Sequence, residues 1–476
     1  MKKLLLTLLL AIGMTSAGRS EIRLPGLLGD HMVLQHSAEV SLWGWARPNS
    51  PVTVETSWGA QAATESDREG KWQLRIATPA AGYVPQSIRI ADPDGTAELH
   101  DVLIGEVWVC AGQSNMFMPL KGLDERQIIA GSAEDIADAR HYWGIRMATI
   151  PLRQAVEPQD DAAVKWEVCT SESAPEFSAV AYYFARNLSQ SLDVPIGILQ
   201  SSWGGSRIEC WMSQEALAPY KEVKLRDMTD PRCIECLRPA VMYNAMIHPL
   251  KNYAIRGFVW YQGCANISQY RDYDRRMESL AADWRRLWQS EELPFYFVEI
   301  APYQYGGSDK AAYLREAQHR AADLIPHSSF VSTSDLVDPD EEDCIHPSRK
   351  SEVGERLAAL ALNKTYGYAD FACDAPIFAA AEFCDDGSVI LSFDRTAGGL
   401  VAAGELTGFE IAGKNKKFRP AQAEILPGGK RIRLRPAAGE KIAAIRYCFR
   451  NWAPSAIWNT DGLPLIPFRT DDWSCK

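Results

Sequence analysis

The sequence predicts an α/β chain: a three-layer domain around a five-stranded parallel sheet, with β-rich, sandwich-like segments on both sides. Two observations carry this. Between about 101 and 370, apolar runs near 102–109, 194–200, 255–261, 294–299 and 328–336 read as buried strands and alternate with amphipathic helical patterns. That alternation belongs to a parallel sheet covered on both faces. Outside this stretch, short alternating segments are punctuated by turn residues.

In chain order, residues 1–20 read as an export signal. Lys2 and Lys3 supply the charge, Leu4 to Ile12 the apolar stretch, and Thr15-Ser16-Ala17 the cleavage site. The stretch is too short to span a bilayer, so the mature protein is expected to be soluble in the periplasm or outside the cell. Residues 21–100 form a β-sandwich-like domain. Val52 and Val54 alternate, as do Trp72, Leu74 and Ile76, between turns such as Asp67-Arg68-Glu69-Gly70 and Asp92-Pro93-Asp94-Gly95. Within 101–370, three sets share helical faces: Val180, Tyr183, Phe184 and Leu188; Met277, Leu280, Trp284 and Trp288; Val353, Leu357 and Leu360. From 371 to 476 strand patterns return, at Val389 to Phe393, at Ile432 and Leu434, and from Ile442 to Phe449.

The net charge of −11, from 50 basic and 61 acidic residues, argues against nucleic acid as the main partner, because phosphate binding needs a basic patch. Eleven cysteines leave at least one thiol unpaired. Cys233 and Cys236 have the spacing of half a zinc site but lack a second pair of ligands, so no metal is expected.

Four polar motifs follow four of the predicted strands. They are Gly112-Gln113-Ser114-Asn115-Met116, Trp203-Gly204-Gly205-Ser206, Gln262-Gly263-Cys264-Ala265-Asn266 and Asp343-Cys344-Ile345-His346-Pro347. Ligands of parallel sheets bind outside the carboxyl ends of the strands, where all four are expected. A serine hydroxyl needs a base to take its proton. Among eight histidines, His346 alone has a near carboxylate, a following proline and a place after the last strand. Ser114 is therefore the candidate nucleophile and His346 its base. Backbone N–H groups at Ser114 and at Gly204 or Gly205 are candidate oxyanion donors. Met116 excludes the Gly-x-Ser-x-Gly elbow of α/β-hydrolases.

These motifs resemble those of the SGNH-type hydrolases, and specifically the sialate O-acetylesterases. The resemblance extends to Asp30-His31-Met32-Val33-Leu34-Gln35, Gly105-Glu106-Val107-Trp108, Tyr243-Asn244-Ala245-Met246-Ile247 and Pro467-Phe468-Arg469-Thr470. It implies an SGNH-hydrolase domain without cofactor, with Asp343 orienting His346 and an amide, Asn266 or else Gln262, joining the oxyanion hole. The implied substrate is O-acetylated sialic acid or another acetylated glycan. Acetylated plant polysaccharide is the alternative, and a non-catalytic sugar binder with a relic site is the second. The sequence departs from the family at Cys264, where a glutamate is usual, and at Arg207, where proline is common. Arg207 could pair with a substrate carboxylate or with Glu209. Trp203 is a candidate sugar platform, Trp260 a core residue, and Cys210 with Cys264 a candidate local disulfide.

Overall fold

A computed structural model describes residues 22–436 and 441–475. The expected export signal lies outside the described residues. The chain opens with β1 (Val33–Gln35), β2 (Glu39–Trp45), β3 (Pro51–Thr56), β4 (Gln61–Glu65), β5 (Lys71–Ala77), β6 (Gly82–Asp92) and the 18-residue β7 (Gly95–Gly112). Exposed and buried residues alternate strictly along β5, with Trp72, Leu74 and Ile76 inward. That is the period of a strand with one solvated face.

After β7 come α1 (Ser114–Phe117), α2 (Ser132–Asp138), β8 (Ile145–Thr149), β9 (Trp166–Val168), α3 (Ala179–Leu192) and β10 (Ile196–Ser202). Next are α4 (Gln214–Leu217), β11 (Gly257–Tyr261), α5 (Tyr273–Trp288), β12 (Phe295–Val298), α6 (Lys310–Leu324), β13 (Ser328–Val331) and α7 (Lys350–Lys364). The central sheet has the order β13-β12-β11-β7-β10-β8-β9. Every pairing in it is parallel except that of β9 with β8. It therefore holds six parallel strands rather than the expected five. The unexpected one, β8, carries Arg146 inside its apolar run, buried against Asp101 at 2.7 Å.

The N-terminal strands, expected as a sandwich-like domain over 21–100, run on into the central layer. The first part of β7 pairs antiparallel with β6 and parallel with β1, and its last seven residues pair with β10. The N-terminal sheet is thus continuous with the central one. Successive β7 side chains serve opposite faces. Trp108 and Cys110 join the core under α3 and α7, while Val107, Val109 and Ala111 join the core under α5 and α6. Trp260 is fully buried and meets Trp284 edge to face at 5.5 Å, so it is a core residue.

Beyond α7, Ile377–Phe383, Val389–Asp394, Arg431–Arg435 and Gln422–Ile425 form one antiparallel sheet. A second contains Phe409–Ala412, Ala444–Tyr447, Arg419–Pro420 and Phe468–Arg469. The two share one core that includes Leu391, Leu434, Ile411 and Tyr447. No helix among the described residues is long and apolar enough to cross a membrane.

In the central sheet, β8 and β10 lie to one side of β7, and β11, β12 and β13 to the other. The strand order reverses at β7, which makes its carboxyl end the switch point where a crevice opens. Ser114 stands there.

Candidate active site

Gly112 ends β7 with φ +149°, and a Cβ there would lie 2.2 Å from the Tyr261 carbonyl oxygen. Only glycine lets the chain pass so close to β11. The turn is pinned on both sides: the Gln113 N–H donates to the Tyr261 carbonyl at 3.0 Å, and the Trp203 N–H to the Gly112 carbonyl at 3.0 Å. Ser114 then opens α1, half-buried. Its N–H, like those of Gly204 and Gly205, has no acceptor among the described residues. Gly204 is exposed, and a Cβ on it would come within 3.8 Å of the Ser114 Cβ. The glycine turn therefore faces the serine, and unspent backbone donors border its side chain.

His346 is held from an unexpected direction. Its Nδ1 is hydrogen-bonded to Oε1 of Gln127, whose Nε2 donates to Asp124 at 3.0 Å. Its Nε2 is buried and has no partner among the described residues. Burial, reinforced by the positive charge of Lys350 and only partly offset by Asp124, pulls the imidazole pKa down to about 4. Asp343 does not orient the ring. It is exposed, and its side chain makes no hydrogen bond among the described residues. The cause is local. The turn Pro339–Glu341 carries a capping box from Asp338, the Cys344 N–H closes onto the Glu341 carbonyl at 2.8 Å, and the Ser348 N–H onto the Glu341 carboxylate at 2.7 Å. Glu341 thus anchors the loop, and Asp343 is left facing solvent.

Asn115, beside the serine, donates from Nδ2 to the carbonyl of Ile345, beside the histidine, at 3.0 Å. Lys350 donates to Oδ1 of the same Asn115 at 2.7 Å. Asn115 is 2 % exposed and Lys350 1 %. Burial lowers the Lys350 pKa to about 8. This strut from α7 through Asn115 links the loops that carry Ser114 and His346.

The amides expected in the oxyanion hole are committed elsewhere. Oδ1 of fully buried Asn266 accepts from the Ile208 N–H at 3.0 Å and from Gln262 at 2.8 Å, and its Nδ2 donates to Glu209 at 3.1 and 3.2 Å. Gln262, equally buried, also donates to the Ser206 carbonyl at 3.0 Å and accepts from Tyr273 at 2.5 Å. Both therefore brace the segment that continues the Gly204–Gly205 turn. Gln113 performs the matching task for the third motif, its Oε1 accepting from the N–H groups of Gly263 at 3.0 Å and Ala265 at 3.4 Å.

Glu209 pairs with Arg276 at 2.6 Å, not with Arg207. Arg207 is half-buried, has no ion pair among the described residues, and keeps an unpartnered, buried Nε. Trp203 is half-buried against the core. Cys210 and Cys264 are both free thiols. The candidate Cys210–Cys264 bridge is absent, and the Cys210 thiol instead donates to the Cys236 carbonyl at 3.2 Å.

A family model described as carbohydrate esterase, sialic acid-specific acetylesterase, matches residues 104–363. The chain belongs to that family. The sialate O-acetylesterase of Mus musculus is 27% identical, covering 94% of this chain and 94% of its own length. That of Homo sapiens is 29% identical, covering 75% and 73%. A crystal structure of a carbohydrate acetylesterase from Xanthomonas citri is 34% identical, with a TM-score of 0.85 over 95% of this chain and 100% of that one. This member of the family is a carboxylic ester hydrolase that removes O-acetyl groups.

Reading the sequence of this acetylesterase missed Gln127, the strut role of Asn115, and Lys350. Gln127 sits 219 positions from its partner and carries no motif of its own. Lys350 offered one weak sign, a lysine four residues after the histidine at the start of an amphipathic helix.

Proposed function

We propose that the chain is an exported serine esterase acting on O-acetylated sugars, O-acetylated sialic acid first among them. Ser114 attacks the acetyl carbonyl. His346 Nε2 takes the serine proton and later returns it to the departing sugar hydroxyl. The observation that carries this reading is the state of the His346 ring: Nδ1 is occupied by Gln127 while Nε2 is buried and unspent. With a pKa near 4, the ring is neutral and able to accept a proton throughout the ordinary pH range. The N–H groups of Ser114, Gly204 and Gly205 receive the oxyanion, each such donor typically contributing about 10²–10³ in turnover. Water then attacks the acetyl-enzyme through the same base and frees acetate.

Unpaired Arg207, directly after the donor turn, suits a substrate carboxylate, which favours sialic acid. A neutral acetylated plant polysaccharide is the second reading. What supports it is the 34% identity to a Xanthomonas citri protein described as a carbohydrate acetylesterase, a wider substrate class than sialate.

The test is acetate release from a small acetyl ester, from 9-O-acetylated sialic acid and from acetylated xylo-oligosaccharides. Release that disappears in Ser114→Ala is expected. Preference for the sialate that vanishes in Arg207→Ala supports the first substrate, and preference for the oligosaccharide the second. Sugar binding without any release would return the relic-site reading to first place.

A further inference from the structure

A cleft of about 820 Å³ lies between α7 and the C-terminal strands. Its floor is a two-stranded antiparallel pair, Leu400–Ala402 with Ile457–Asn459. Val401 and Trp458 are direct partners across that pair. Their neighbours Leu400, Ile457 and Asn459 are buried, so the period of two turns Val401 and Trp458 to the opposite face, where they line the cleft. Val401 is 47% exposed and Trp458 half-buried. The indole is fixed in place, its Nε1 donating to Asp335 at 2.8 Å. It is a flat apolar plate that needs no ordering before a ligand packs on it.

Helix α7 forms the facing wall. Glu352, Glu355, Arg356 and Ala359 line it, at the spacing of one helical face. The cleft's two guanidiniums are both committed, Arg356 to Asp335 at 2.7 Å and Arg349 to Glu352 at 2.7 Å. Two of its carboxylates are not. Glu355 and Asp461 are exposed, and neither side chain has a hydrogen bond or ion pair among the described residues. Four carboxylates against two paired guanidiniums disfavour an anionic ligand. What the cleft offers is an aromatic plate beside free hydrogen-bond acceptors. A neutral sugar is the complement: its C–H face packs on an indole, and its hydroxyls donate to carboxylates. The volume is that of a site for a ligand larger than a single small group.

The cleft also adjoins the loop of the candidate base. Asp335, at the start of that loop, and Arg349, three residues after His346, both line it.

We infer that this cleft binds neutral sugar units of the glycan that carries the acetyl group, with Trp458 as the stacking plate and Glu355 and Asp461 as acceptors for hydroxyls. The choice of a glycan rests on the esterase reading above. The binding itself does not require Ser114 to be the nucleophile, so its test uses sugars without an acetyl group.

Isothermal titration of the full chain with two neutral probes, xylohexaose and lacto-N-tetraose, reads the site. Saturable binding of at least one is expected, about tenfold weaker in Trp458→Ala. Trp458→Phe keeps a ring but loses the N–H to Asp335, and should stay within about threefold of wild type. Val401→Arg fills the cleft from an exposed position and should weaken binding as well; if Trp458→Ala does not fold, Val401→Arg decides. Tighter binding of xylohexaose would assign the cleft to a polysaccharide backbone, and of lacto-N-tetraose to the inner sugars of a sialylated glycan. Absence of binding by both sugars would overturn the inference. So would an affinity unchanged in Trp458→Ala and Val401→Arg, since the sugar would then sit elsewhere. Either failure leaves acetate release intact, so the cleft and the esterase reading fail separately.

Discussion

A neutral amide on Nδ1 holds the His346 ring without adding charge, and the charge on Lys350, which outweighs that of Asp124, has the wrong sign to stabilise an imidazolium. The acid limb of kcat/KM should therefore lie near pH 4, with activity level above about pH 5. Gln127→Glu would place a carboxylate against Nδ1 and move that limb up by about 1–3 pH units. Gln127→Ala should lower kcat about tenfold or more by freeing the ring to adopt the wrong tautomer. Asp343→Asn should stay within about threefold of wild type, because its side chain faces solvent. Lys350→Met should also raise the acid limb, since it removes a positive charge beside the histidine. A strut with no electrostatic role would lower kcat and leave the limb in place. The same shift governs stability. Unfolded histidine titrates near 6.5, so between about pH 6.5 and 4 the unfolded chain binds the extra proton. His346 then contributes full stability above that window and loses it as pH falls through it. Thermal midpoints recorded across the window should slope less in His346→Gln.

Among the elements, the loop after β13 shows how one acidic run divides into separate tasks. Asp335 accepts from Arg356 at 2.7 and 2.8 Å and from the Trp458 indole at 2.8 Å, with its side chain 5% exposed. Asp335→Ala strands a largely buried guanidinium and should cost about 3–5 kcal/mol. Asp343→Ala should change stability by less than about 0.5 kcal/mol. Urea unfolding of the two variants measures the contrast. Nothing in the run of acids between 335 and 343 distinguishes these two, because the distinction depends on Arg356 and Trp458, which other elements supply. The central strands were legible for the opposite reason. A parallel strand buried on both faces is a continuous apolar run, and the runs that end near Val109, Leu199 and Tyr261 coincide with β7, β10 and β11. Strand β8 escaped because Arg146 breaks its run, and that arginine is tolerated through Asp101 and the carbonyls of Trp143 and His31.

In the molecule as a whole, the C-terminal strands are held to the central layers by polar contacts. Arg450 pairs with Asp309 at 3.1 Å, Arg469 with Glu316 at 2.7 Å, and the Ser455 N–H meets the Ser334 carbonyl at 2.8 Å. Tyr313 on α6 packs edge to face on Phe449 at 5.0 Å. Ending the chain at residue 370 would strip these partners from α6 and from the loop leading to His346. The shortened protein should be aggregated or lack a cooperative transition by circular dichroism. A soluble, cooperatively folding product would show that the C-terminal strands are dispensable.

Strand β7 carries a longer consequence. Its 18 residues span about 55–60 Å, begin in the N-terminal sheet and end two residues before Ser114. A splice made near residue 100, where the composition of the chain changes, would cut through a hydrogen-bonded strand. The front sheet cannot be traded between relatives like a cassette, as modules on flexible tethers can. It and the serine share one strand, and a change in the register of one moves the other.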